Sequence, residues 1–153
     1  WAKDAAKKRN PELFPQQKHL IHELQKRNIQ IVVVSASVEW AVAGALHAVG
    51  LENIHALGVK TKIVNSSITD VQDGFITWRE GKKQALMEYT KGVPPLLSCG
   101  NTMGDQHLLE SSQGLRITIQ SQQDPSLHPS LYEDEQNLLK LAQKNNWLTF
   151  NFS

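Results

Sequence analysis

Pro95-Leu96-Leu97-Ser98-Cys99-Gly100-Asn101-Thr102-Met103-Gly104-Asp105 carries an apolar run into a glycine-bracketed polar loop that ends on an acid. The run has the length of a short buried strand, and Asp105 stands where a helix would begin, at the end that favours negative charge. A buried strand handing over to a helix belongs to a parallel α/β sheet, and ligands of such sheets collect outside the carboxyl ends of the strands. The two glycines permit a tight turn, Asn101 offers an amide group, and Asp105 is a hard oxygen donor. The loop therefore reads as a site for a cation and an oxyanion. An ordinary strand-to-helix connection with an acid at a favourable helix start would use the same residues.

Outward from this stretch, strands and helices alternate. Residues 1–10 read as a short charged helix ended by Pro11. A second helix starts at Phe14-Pro15, sets Leu20, Ile21 and Leu24 on one face, and stops near Asn28. Residues 29–34 form a β-branched run, the mark of a strand covered on both faces. Ser37 can cap the next helix, Glu39 suits its positive end, and Gly50 closes it. Residues 54–59 are the next strand, and Ile63-Val64 with residues 75–78 suggest a hairpin or short excursion, in which Asp70 and Asp73 serve turn chemistry. A helix over 81–91 turns Ala85, Leu86 and Tyr89 inward, residues 94–99 are a buried strand, and 105–111 a helix. A strand over 115–119, a Gln- and Ser-rich loop over 120–130, a helix over 132–145 and an extended tail over 147–152 complete the chain. The order predicts an α/β fold, a three-layer sandwich with a mostly parallel central sheet and helices on both faces.

Composition narrows the function classes. The 153 residues suffice for one domain with a real core, and 40% hydrophobic with 20% charged residues is ordinary for a soluble globular protein. A formal net charge of +1 gives no electrostatic basis for binding nucleic acid or an anionic membrane. Lys7-Lys8-Arg9 reads as a solvated helix face. No stretch approaches the roughly 18 apolar residues of a membrane span, and a cytoplasmic location is the expectation. The single cysteine, Cys99, excludes an internal disulfide and a thiolate zinc site, and its strand context predicts a buried, inert thiol. Because the chain opens at Trp1 rather than Met, it reads as a piece of something longer.

Three places at strand ends or helix starts can carry chemistry. Val34-Ser35-Ala36-Ser37 puts a hydroxyl before a helix N-terminus, where free backbone N–H groups make an oxyanion cradle; helix capping by Ser35 and Ser37 is the plainer reading. Gly81-Lys82-Lys83 opens a helix with cations against the macrodipole, a placement that a bound anion would explain. A Lys–phosphate contact near 4 Å is worth about 4 kcal/mol at an effective dielectric of about 20, well above that penalty. The third place is Gly100 to Asp105. His19 and His22 lie three apart on a helix with nothing to complete a metal set, and His107 suits packing as well as a site. The four tryptophans are scattered, and no dinucleotide or P-loop glycine pattern is present.

Taken in order, these motifs resemble the haloacid dehalogenase superfamily of phosphatases, closest to its phosphoserine phosphatase-like branch, over about residues 11–147. Ile31-Val-Val-Val-Ser-Ala-Ser looks like the second motif, Glu80-Gly-Lys-Lys-Gln-Ala-Leu like the third, and Ser98-Cys-Gly-Asn-Thr-Met-Gly-Asp like the fourth. The resemblance implies a Rossmann-like core. It implies that Ser35 hydrogen-bonds the transferring phosphoryl group with Ala36 and Ser37 beside it, and that Lys82 offsets charge. It places Asn101 and Thr102 against substrate, and a Mg²⁺ ion on Asn101 and Asp105.

The sequence departs from the family pattern twice. Asn101 stands where that branch carries an acidic Mg²⁺ ligand, so the site lacks one charge. The Asp-x-Asp-x-Thr motif, which supplies the nucleophile and acid/base, is absent. Residues 1–14 resemble the tail of a helical cap, leaving 15–153 as a core without its first strand. The implied function is Mg²⁺-dependent hydrolysis of a small phosphorylated molecule through an aspartyl-phosphate in the full-length protein. An N-terminal fragment carrying the nucleophile would be a partner, and the 153 residues alone would be inactive. A catalytically inactive phosphate-binding module of the same fold is the alternative.

Overall fold

The computed structural model describes residues 4, 8, 12–121, 124–126 and 128–151. Apart from Asp4 and Lys8, both helical, the helix expected over 1–10 lies outside the described residues, as do most of the expected cap remnant over 1–14 and part of the 120–130 loop. The chain divides into two compact units, Trp1–Thr77 and Trp78–Ser153.

In the first unit Pro15 opens helix α1 (Pro15–Lys26), where its fixed φ is already helical and its missing N–H costs nothing. Asn28, at φ 56°, turns the chain out of it. Strand β1 (Val32–Val38) runs parallel to β2 (His55–Val59), with Val32, Val33 and Val34 opposite His55, Ala56 and Leu57. Helix α2 (Glu39–Ala48) makes the crossover and packs on both strands, and Gly50, at φ 75°, follows its C-cap. Leu46, Leu51, Ile54 and Ala56 form the buried core, with Leu13, Ile21, Ile31, Val33 and Val42 packed against it. The strand expected at 29–34 thus begins three residues later and continues through Ser35–Ser37. Val32, Val33 and Val34 are half-buried rather than covered on both faces, and Val38 is exposed.

The hairpin also differs from expectation. Strand β3 (Thr61–Val64) pairs antiparallel with β4 (Ser67–Gln72), joined by Asn65-Ser66 at φ 49° and 64°. Two consecutive left-handed residues are what a tight two-residue hairpin needs, and they set Ser67 directly opposite Val64. Residues 75–78 therefore take no part in the hairpin, and Asp70 lies within β4 rather than in a turn.

The second unit is built on a three-stranded, wholly parallel sheet in the order β5-β6-β7: β5 (Leu97–Gly100), β6 (Leu115–Gln120) and β7 (Leu148–Asn151). Helix α3 (Glu80–Tyr89) buries Ala85 and Leu86, with Tyr89 only half-buried. A 3₁₀ turn (Met103–Asp105) and the short α4 (Gln106–Glu110) connect β5 to β6, and α5 (Pro129–Lys144) connects β6 to β7. Leu108, Leu109, Leu138 and Ala142 are buried in this unit. Gly114 is required by packing, because a Cβ there would lie 2.5 Å from the Leu96 carbonyl oxygen.

The extended tail is a sheet strand, β7, held by β6. Strand β5 starts at Leu97, and Leu96 is exposed rather than buried. The helix expected at 105–111 is a 3₁₀ turn followed by α4. Each unit joins parallel strands through helices, so the chain is a mixed α/β protein. No described helix is long and apolar enough to cross a membrane.

Candidate active site

The loop after β5 is organised around one carboxylate. Asp105 is buried, and its Oδ2 accepts the backbone N–H of Asn101 at 3.0 Å and of Thr102 at 3.3 Å. Its own N–H donates to the Thr102 carbonyl at 2.8 Å, closing the 3₁₀ turn. The carboxylate reaches back beneath the strand end only because residue 100 is glycine. A Cβ there would lie 2.4 Å from the Asp105 Cβ and 2.8 Å from its Cγ.

The second oxygen of Asp105 has a partner from another element. Lys82 Nζ donates to Oδ1 at 2.5 Å, and the two side chains are 12% and 9% exposed. Lys82 enters from the first turn of α3, where a cation opposes the helix dipole. A cation in that place calls for a nearby anion, and Asp105 is the anion the structure supplies. Lys83, next to it, is exposed. The N-cap of α3 is Arg79, at φ 51° and ψ −119°, backbone geometry that non-glycine residues seldom adopt. Its guanidinium lies 4.5 Å from the centroid of the Trp78 ring.

Ser35, Ala36 and Ser37 belong to the first unit, where they occupy the end of β1. The parallel ladder runs to Val34 opposite Leu57 and resumes at Val38 opposite Val59, so four steps along β1 match two along β2. Within this bulge the Ser37 N–H donates to Ser35 Oγ at 3.1 Å. Ser37 does not cap α2: the N-cap is Val38, without a side-chain bond. Glu39, in the first turn of α2, accepts the Gly58 N–H at 3.2 Å and lies 3.9 Å from Lys60 Nζ. Gly58 carries no side chain for a steric reason, since a Cβ would meet the Ser37 carbonyl oxygen and the Glu39 backbone at 2.6–2.7 Å.

Two residues that sequence reasoning passed over hold these segments. Buried Thr77 donates its hydroxyl to the Ser35 carbonyl at 2.5 Å, and no sequence signal marks a contact 42 positions away. Glu135, on α5, is 1% exposed and accepts the Ser121 N–H at 3.1 Å and the Ser121 hydroxyl at 2.5 Å, at the carboxyl end of β6. Its signal was legible: Glu135, Leu138 and Ala142 share the buried face of α5 at helical spacing.

His19 and His22 are exposed on α1, and His107 Nδ1 lies 3.7 Å from Glu110 Oε2. Cys99 is exposed rather than buried as expected, although packing around its sulfur desolvates the thiol and pushes its pKa up.

A Mg²⁺ ion asks for hard, preferably charged oxygen ligands. The Asp105 oxygens are already taken by an ammonium and two amide protons, which leaves the Asn101 amide oxygen as the neutral donor in the loop. Among the described residues no three His, Cys, Asp or Glu side chains cluster to hold a metal. These residues do not by themselves fit a Mg²⁺ ion.

The two units define a mixed α/β class, and the solved structures contain a chain of similar fold. It is the crystal structure of a protein with unknown function from Bordetella pertussis Tohama I, matched with a TM-score of 0.65 at 16% sequence identity. The match covers 88% of this chain and 56% of that one, so the chain spans little more than half the length of its structural relative. No family model and no curated protein matches the sequence.

Proposed function

We propose that the chain is the phosphate-handling part of a phosphomonoester hydrolase of the haloacid dehalogenase type, with a Rossmann-like core close to that of the phosphoserine phosphatase-like branch. The observation that carries this reading is the Lys82–Asp105 pair. A lysine from a helix start, held almost out of solvent by a carboxylate folded under a strand-end loop, is a cation kept in one place. Placed against a phosphoryl group, it offsets charge that grows during transfer.

In this reading the Ser35 hydroxyl donates to a phosphoryl oxygen, beside the backbone of Ala36 and Ser37. Within the second unit, Asn101 and Thr102 are the candidate substrate contacts of the loop after β5, and Asp105 holds Lys82 and that loop in place. The substrate is a small phosphorylated molecule, attacked by an aspartate carried elsewhere in the full-length protein. Mg²⁺ belongs to the reading only together with carboxylates supplied outside these residues.

A second reading, an inactive phosphate-binding module, is favoured by Asn101, which brings no charge, and by the engagement of both Asp105 oxygens. Hydrolysis of p-nitrophenyl phosphate by the full-length protein, with and without Mg²⁺, separates the two. The enzyme reading expects turnover that falls about 100-fold or more in Ser35→Ala and Lys82→Ala. Full activity in Lys82→Ala would refute its role. Binding of inorganic phosphate without turnover would select the inactive module.

A further inference from the structure

We infer that Thr77 is a positioning residue that fixes the Ser35 peptide, aims the Ser35 hydroxyl and so sets the affinity of the site for a phosphoryl group. The inference rests on the proposed role of Ser35 and adds to it a residue from a distant part of the chain. Three observations within the first unit carry it.

The β1–β2 ladder is interrupted between Val34 and Val38, so Ser35 lies outside the paired register that would otherwise fix its backbone. A bulge of this kind re-aims side chains and leaves peptide groups in search of partners. Thr77 supplies one. Its side chain is 1% exposed, and its hydroxyl donates to the Ser35 carbonyl at 2.5 Å from 42 residues away. Valine has the same shape and would fill such a site without a polar atom to satisfy. A buried threonine is explained by the hydrogen bond it makes.

The Ser35 side chain is oriented as well. Its Oγ accepts the Ser37 N–H at 3.1 Å. A serine hydroxyl has one proton and two lone pairs. With a lone pair committed to a backbone donor, the proton turns away from that N–H and is free to be given to an anion. Ser35 is thus held at its carbonyl by Thr77 and at its hydroxyl by Ser37. Gly58 completes the mould, since any side chain there would push the Ser37 carbonyl out of place.

The test is a double-mutant cycle on the full-length protein, with inorganic phosphate as the probe and its dissociation constant read from backbone amide shifts. Ser35→Ala and Thr77→Val are each expected to weaken phosphate binding about tenfold, the scale of one hydrogen bond lost. In the Ser35→Ala background Thr77→Val should cost less than about twofold, because the two residues act as one unit. Thr77→Ser keeps the donor and should bind within about twofold of the native protein. An unchanged constant in Thr77→Val, or equal losses in both backgrounds, overturns the positioning role and leaves the Ser35 assignment standing. A neutral Ser35→Ala overturns the assignment itself and the inference with it. If thermal melting shows Thr77→Val unfolded, Thr77→Ser decides: a folded variant that has lost phosphate binding refutes the role, and one that binds normally upholds it.

Discussion

Lys82 Nζ lies 2.5 Å from Asp105 Oδ1, while Oδ2 of the same carboxylate holds the amide protons of Asn101 and Thr102. One side chain therefore shapes the loop after β5 and fixes the cation that enters from α3. The pair is nearly removed from water, so each charge depends on the other for its compensation.

Asp105→Asn should destabilise the protein by about 3 kcal/mol, the lower part of the range for breaking a buried pair, since Lys82 keeps some contact with solvent. Urea denaturation measures this. Lys82→Met combined with Asp105→Asn should cost less than the sum of the single changes. Strict additivity would mean that the ion pair is not the source of the effect.

Gly100→Ala tests the packing of the carboxylate under the strand end. The new Cβ would stand 2.4 Å from the Asp105 Cβ, so the loop or the strand must move. The expected cost is about 1–3 kcal/mol. The amide resonances of Asn101 and Thr102 should shift most, and a variant with native stability and native amide shifts would contradict the close approach.

Glu135 offers a third test, away from Lys82. Its buried carboxylate serves both the N–H and the hydroxyl of Ser121. Glu135→Ala removes the acceptor and leaves a void, for an expected loss of about 2–4 kcal/mol. Glu135→Gln retains an acceptor oxygen and should lose about 1 kcal/mol. Equal midpoints for the two variants in a thermal melt would show that the carboxylate is not what secures Ser121.

The Cys99 thiol gives the pH-dependent prediction. Burial of its sulfur disfavours the charged thiolate and raises the pKa, and the thiolate is the nucleophile. At pH 8 iodoacetamide should alkylate Cys99 more slowly than a free cysteine, although the residue is exposed. The gap should narrow as the pH rises through the elevated pKa. A rate equal to that of free cysteine across the whole range would exclude the desolvated environment.

Much of the element order was legible because strand and helix signals are local. The apolar run before Gly100, the helix face of Ala85 with Leu86, and the left-handed Gly50 after α2 follow from periodicity and backbone sterics. The hairpin went astray for an equally physical reason. Ser67-Ile68-Thr69-Asp70-Val71-Gln72 is polar and mostly exposed, so the apolar Phe75-Ile76 drew the second strand to the wrong place. Strand β7 looked like a tail, because Leu148 to Asn151 is short and exposed and becomes a strand only when β6 lends its edge.

The sequence alone determined the α/β alternation, the glycine-bracketed loop, and the candidate residues Ser35, Lys82, Asn101 and Asp105. These rest on neighbours within a few residues, where periodicity and backbone sterics act. Only the tertiary structure decided that Asp105 spends its charge on Lys82, that Ser35 sits in a bulge rather than a helix cap, and that Thr77 holds its carbonyl. Those contacts join residues 23 and 42 positions apart, and in a folded chain a buried donor takes the acceptor that packing brings to it, which no local pattern records.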